Sequence, residues 1–189
     1  AVALQRQAIE AWRAAGAGHA VNTGRYNLVV ALTARPETRE EALREGERLC
    51  LDMRAAEDWA PLALACNQRG EALSWLRRWD EAVAAYREGI AVADEALEML
   101  PLAYLLWNLP GALVHRREPE AAARLMGFAA RFWTERFGAL SAADRHDLRR
   151  VQRLAAAQIG RPRTQALLAE GEALTLADAV RQSLPSSTA

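Results

Sequence analysis

GEALSWLRRWDEAVAAYREGI, residues 70–90, is the stretch that decides the fold. Its second half places Trp79, Val83, Tyr86 and Ile90 three or four residues apart, which aligns them on one stripe of an α-helix. Its first half, with Gly70 and Leu73, ends another helix, and Arg77-Arg78 leaves room for a short turn. Two helices of a hairpin approach closely only where one presents a small side chain, and Gly70 and Ala82 supply it. The stretch therefore reads as a helix, a turn and a second helix packed back on the first.

The pattern recurs on both sides. Glu40-Glu41-Ala42, Asp80-Glu81-Ala82 and Glu120-Ala121-Ala122 each open a helix, with the alanines evenly spaced. An earlier helix in each unit carries a matched amide and leucine: Asn27 with Leu32, Gln68 with Leu73, Asn108 with Leu113. A hairpin repeating at about 40 residues specifies an all-α array. In the third unit Leu125, Met126, Ala129, Phe132 and Trp133 form the apolar stripe, read as core rather than as a cofactor box.

Working outward, residues 1–16 are expected to be the second helix of a truncated repeat, ended by Gly16-Ala17-Gly18. Residues 19–137 hold three hairpins, 19–56, 59–99 and 102–137. In the first, Arg35-Pro36 breaks the chain, and Thr38 with Glu41 reads as a capping box opening the B helix. In the second, Asp58 is the expected cap of the A helix 59–76, and the B helix runs from Trp79 to about Met99 with Leu97 on its apolar stripe. In the third, Leu100-Pro101 makes the break, and Pro110 is expected to kink or loosen the A helix.

Residues 141–184 read as capping helices, opened by Ser141 with Asp144 and by Thr175 with Asp178, and 185–189 as a tail. A cap is needed because the last unit of a repeat array exposes an apolar face. Leu148, Val151 and Leu154 are expected against the third hairpin. Leu167, Leu168, Leu174, Leu176 and Val180 are expected to seal the end, and Asp147 and Arg150 to face water.

Two resemblances add to this reading. Gly70, Leu73, Trp79, Ala82, Tyr86, Gly89 and Ile90 fall at the offsets of the tetratricopeptide repeat, which the chain resembles best over 63–99. That implies a TPR-like α–α superhelix, a right-handed solenoid of helix hairpins with a C-terminal helical cap. The departures are a period beyond the usual ~34 residues, Arg69 in place of a large apolar residue, and Pro110 in place of a small one. The run EAAARLMGFAA at 120–130 and the run AEGEALTLADAV at 169–180 are similar to elements that end the repeat region of STAND-type signal-transduction ATPases. Arg161-Pro162-Arg163 departs from the acidic helix start of that family. This second resemblance implies a non-enzymatic interaction or sensor domain of a larger bacterial transcriptional regulator or signalling ATPase, cytoplasmic, with its nucleotide and output domains elsewhere in the parent. The chain opens without Met, in mid-helix, and is expected to be a fragment of such a parent. The alternative is a free-standing TPR scaffold for protein–protein interaction. A helical enzyme with an unrecognised site is the third reading.

Composition narrows the chemistry. Acidic and basic residues are equal in number, 24 each, so there is no global pull towards nucleic acid. Arg77-Arg78, Arg116-Arg117 and Arg149-Arg150 are compensated by Asp80, Glu118 and Asp147. No run approaches the ~18 apolar residues of a membrane span, so no membrane partner is expected. Cys50 and Cys66 lack metal or redox spacing and read as small buried apolar residues. His19, His115 and His146 are scattered, with His115 read as a solvated polar residue, and no metal is expected. Without a phosphate-cradling glycine loop no cofactor is expected. Ser74 and Ser141 have no base nearby in sequence, and Glu37, Glu40 and Glu41 match a helix dipole. No catalytic residue is assigned.

Binding is the better expectation. By repeat position the A helices line the concave face, which places Tyr26, Asn27, Asn67, Gln68, Glu71, Trp75, Tyr104, Trp107 and Asn108 on or near a ligand or peptide groove. Amides there can grip the backbone of an extended peptide, and aromatics supply contact area. Trp75 and Trp107 read equally well as packing between helices. The expected partner is a protein or peptide, which includes other domains of the same parent, or a small effector.

Overall fold

The computed structural model describes residues 2–185, and all of the regular structure in them is helical. The helices are α1 (Val2–Ala14), α2 (Gly18–Thr33), α3 (Arg39–Ala55), α4 (Trp59–Trp75), α5 (Trp79–Glu95), α6 (Met99–His115), α7 (Pro119–Phe137), α8 (Ala142–Ile159), α9 (Arg161–Glu172) and α10 (Leu176–Ser183), with one 3-10 turn at Pro36–Thr38. Consecutive helices from α1 to α9 pack against one another as adjacent pairs. The expected tail beyond Pro185 lies outside the described residues.

The regularity has a backbone cause. Glu57, Arg77, Leu97 and Arg117 have φ of 53°, 61°, 58° and 67°. These left-handed residues stand twenty positions apart, each closing a helix of 17 residues. The next amide reaches back over the last turn: Asp58 to the Met53 carbonyl at 3.0 Å, Arg78 to Leu73 at 2.9 Å, Glu98 to Ala93 at 2.8 Å and Glu118 to Leu113 at 3.0 Å. This closure satisfies carbonyls that a helix end otherwise leaves open, and it turns the chain within three residues. Two helices of about 25 Å, each with its turn, make the hairpin of about 40 residues.

The turn corrects several boundaries. Leu97 is not on the apolar stripe of α5; it occupies the left-handed turn position and is 82% exposed. α5 therefore stops at Glu95, and α6 starts at Met99 with Pro101 inside its first turn. Pro110 does not interrupt α6, which runs from Met99 to His115 as one helix. The Thr38 capping box is absent. Thr38 has φ −113° and ψ 4°, not the extended backbone of an N-cap, and its hydroxyl donates to the Leu32 carbonyl at 2.6 Å. Asp58 likewise makes no side-chain cap. Ser141 and Thr175 are extended, and both form full capping boxes with Asp144 and Asp178.

Small residues set the helix approaches. A Cβ on Gly70 would stand 2.6 Å from the Tyr86 ring, so this glycine makes room for a tyrosine that is 2% exposed. Ala82 and Ala122 are fully buried. Arg69, where a large apolar residue was expected, pairs with Glu88 of α5 at 2.5 Å, and Arg54 of α3 reaches the same carboxylate. One partly exposed ionic network thus links three helices.

The C-terminal helices cover the end of the array. Val151 and Leu167 are buried, and Leu148, Leu154, Leu168, Leu174 and Leu176 pack onto the main core beside buried Val180. α9 lies along α7, and α10 folds back to α5, where Arg87 Nε donates to the Ser183 carbonyl at 2.8 Å. No helix is long and apolar enough to cross a membrane among the described residues.

Candidate binding cleft

Helix contacts define an inner and an outer layer. α2 packs on α4, α4 on α6 and α6 on α8, whereas no comparable packing joins α3, α5 and α7 to one another among the described residues, α3 and α5 meeting through the Arg54–Glu88 pair. Helices drawn together on one side and splayed on the other form a curved layer, with α2, α4 and α6 on its inner side.

Three of the amides expected in a groove join these inner helices. Gln68 Nε2 donates to the Tyr26 hydroxyl at 3.2 Å, tying α4 to α2. Asn108 Nδ2 donates to Asn67 Oδ1 at 3.1 Å, tying α6 to α4. Asn67 and Gln68 are consequently buried, at 2% and 4% exposure. Pairing satisfies Gln68 Nε2 and Asn67 Oδ1, as burial requires, but Gln68 Oε1 has no partner among the described residues. Burial, then Tyr104, raises the Tyr26 phenol above its ordinary value, with Glu71 adding to the shift and Gln68 opposing it. Trp107 is buried with its ring 6.0 Å from Trp133, and Tyr104 meets Trp133 edge-on at 5.1 Å. Asn27 is exposed on α2.

Four of the expected residues do converge. Glu71, Trp75, Trp107 and Asn108 line one cleft of about 150 Å³ at the end of the inner layer, where α8 closes over α4 and α6. Trp75 is half exposed and carries the Arg39 guanidinium 4.5 Å from its ring centroid. Tyr86 also lines the cleft, its hydroxyl 3.4 Å from that of Ser74. Burial raises the Tyr86 phenol well above its ordinary value, so it stays protonated. Glu71 is raised too, by burial first and by the Asp147 carboxylate second, with Gln68 opposing.

Asp147, Arg150 and Trp79 were not expected there. Asp147 and Arg150 sit on the polar face of α8, which in isolation reads as solvated, and only the docking of α8 on α6 brings them to the cleft. His115 is no freely solvated side chain. Its ring stacks on Trp79 at 4.1 Å and 10°, and Arg150 Nη2 lies 3.2 Å from His115 Nε2. A guanidinium has only donors, so Nε2 accepts and the proton sits on Nδ1. Burial, Arg150 and Arg77 all lower the His115 pKa, in keeping with a neutral ring.

Cys50 and Cys66 are free and buried, their sulfurs 3.9 Å apart across the α3–α4 pair. The contact with Cys50 and burial push the Cys66 thiol far up. Among the described residues no group of His, Cys, Asp and Glu is placed to hold a metal ion. No protein-family model, no curated protein and no solved structure matches the chain.

Proposed function

We propose that the chain is a non-enzymatic helical-repeat domain of the TPR type, which binds a protein, peptide or small effector on its inner helices within a larger STAND-type regulator. The observation that carries this reading is the inner layer itself. α2, α4, α6 and α8, the middle two held to 17 residues each by turns twenty positions apart, stack into a curved face that ends in an aromatic cleft. Such a face is concave, and concave, mostly apolar sites with a few polar groups are what ligands use. The run GEALTLADAV spans the end of α9 and the start of α10, where it seals the array. In the proposed parent, a ligand held between α4, α6 and α8 would alter how the cap sits, and so reach output domains through a packed element.

The test is binding by the purified chain, read through tryptophan fluorescence against a library of metabolites and short peptides. Saturable binding that weakens in Trp75→Ala with Asn27→Ala is expected. Failure to bind any member, combined with failure to associate with the N-terminal portion of the parent, would reject an interaction domain. Turnover of a library member by the chain would revive the enzyme reading.

A further inference from the structure

We propose that the cleft between α4, α6 and α8 is a site for a small organic cation, an alkylammonium or alkylguanidinium group. The inference rests on the interaction-domain reading and narrows it to one ligand chemistry.

Three observations carry it. First, the lining is rich in π-surface: Trp75, Trp79, Trp107 and Tyr86 all border a cleft of only about 150 Å³. Aromatic faces attract cations through their quadrupole, and they do so most strongly where water is excluded. Trp75 already holds one cation this way, the Arg39 guanidinium.

Second, the carboxylate in the cleft has no internal counter-ion. The groups acting on Glu71 are burial, Asp147 and Gln68, none of which is a cation. A largely buried carboxylate beside a second carboxylate is an unfavourable arrangement for a folded chain by itself. A bound cation removes the conflict by pairing with Glu71, with Asp147 at the rim.

Third, the cation in the lining is committed elsewhere. Arg150 is turned to His115, which is itself fixed by stacking on Trp79. The titratable and charged groups of the cleft and its border are Tyr26 on α2, Arg39 on α3 over Trp75, Tyr86 on α5, His115 on α6 with Arg77 acting on it, and Asp147 with Arg150 on α8. The two phenols are neutral, and the cleft lining itself holds two carboxylates, Glu71 and Asp147, against one guanidinium, Arg150, so its charge is negative when both carboxylates are ionised. An anionic or neutral ligand gains nothing from it. The same chemistry can come from a free amine or from a Lys or Arg side chain of a peptide.

Calorimetric titration with n-butylammonium, tetramethylammonium and n-butylguanidinium tests the proposal, with n-butanol and butyrate as neutral and anionic controls. Saturable binding of the cations and none of the controls is expected, weakened about tenfold or more in Glu71→Gln. Trp75→Ala, a change at a half-exposed position, is expected to weaken it as well with the fold retained. Affinity is expected to rise with pH as Glu71 ionises. Equal binding of butanol, or unchanged binding in Glu71→Gln, would overturn the proposal. A second arm compares free butylammonium with acetylated tripeptides bearing central Lys, Arg or norleucine. Preference for the charged tripeptides over the free amine assigns the cation to a peptide, and the reverse assigns it to a metabolite. Tripeptides that bind regardless of charge, with no cation response, would overturn the cation site and leave the interaction-domain reading intact.

Discussion

Gly127→Ala and Gly171→Ala each place a methyl group inside the backbone of the neighbouring helix. A Cβ on Gly127 of α7 would lie 2.1 Å from the Leu168 carbonyl oxygen, and one on Gly171 of α9 would lie 1.9 Å from the Arg124 carbonyl oxygen. A comfortable carbon–oxygen contact is about 3.3 Å, so each intrusion exceeds an ångström. The obstructing atoms are backbone, which cannot swing aside, so α9 must retreat as a unit. A gap of about 1 Å already forfeits up to about half of each dispersion contact around it, among them those of Leu167, now fully buried. Overpacking costs about 1–3 kcal/mol, and a backbone clash falls at the upper end. The better helix propensity of alanine returns about 1 kcal/mol. A net loss of about 2 kcal/mol per substitution follows, or roughly 4–8 °C in Tm for a chain of this size. The double variant should cost less than the sum, because one displacement of α9 relieves both clashes. Gly111→Ala is the internal control. It lies in α6 with nothing within 4 Å of its added Cβ, so it should gain about 0.5–1 kcal/mol. The assay is thermal and urea unfolding followed by circular dichroism. If all three substitutions stabilise alike, the α7–α9 crossing is not as close as described.

Other consequences can be checked with the same assays. Leu97→Gly removes a leucine from a left-handed turn where it is exposed; it should stabilise by about 0.5–1 kcal/mol, and a loss of stability would show the turn unstrained. Glu71→Gln should stabilise the chain at neutral pH even as it weakens cation binding. The raised Glu71 pKa means the folded state binds the extra proton, so wild-type stability falls as pH rises from about 4.5 through the folded value, and the variant lacks that decline; parallel pH profiles of the two would refute this. Ser141→Ala and Thr175→Ala each remove a capping box and should cost about 1 kcal/mol, whereas Asp58→Ala, which caps nothing, should cost little. Cys50 and Cys66 should react with a bulky disulfide reagent only on unfolding, measured as absorbance released with and without urea; rapid native labelling would contradict their burial.

Much of the helix pattern was legible because it rests on local signals. The stripe of Trp79, Val83, Tyr86 and Ile90, the small residues Gly70 and Ala82, and the Ser141 and Thr175 boxes all act within a few residues of themselves. The left-handed turns were harder to read, since they use Glu57, Arg77, Leu97 and Arg117 in place of the glycine that usually marks them. Their even spacing was the available signal. Leu97 was misplaced on a stripe for that reason, and the boundary between α5 and α6 moved with it. Repeat position placed nine residues on one groove, and four of them, Glu71, Trp75, Trp107 and Asn108, line the cleft. Asn67 and Gln68 pair with groups about 40 residues away, a relation no local pattern encodes. Asp147 and Arg150 reach the cleft only through the docking of α8, a tertiary event that a polar helix face does not announce.

The most direct test of the account is where the chain binds, and its six tryptophans report on it. Indole ¹H–¹⁵N signals would be followed as n-butylammonium is added. The account predicts saturable shifts at Trp75, Trp79 and Trp107, which border the cleft, with Trp12 on α1 and Trp59 at the start of α4 unchanged. Shifts confined to Trp12 or Trp59, or no saturable shift at any indole, would contradict it.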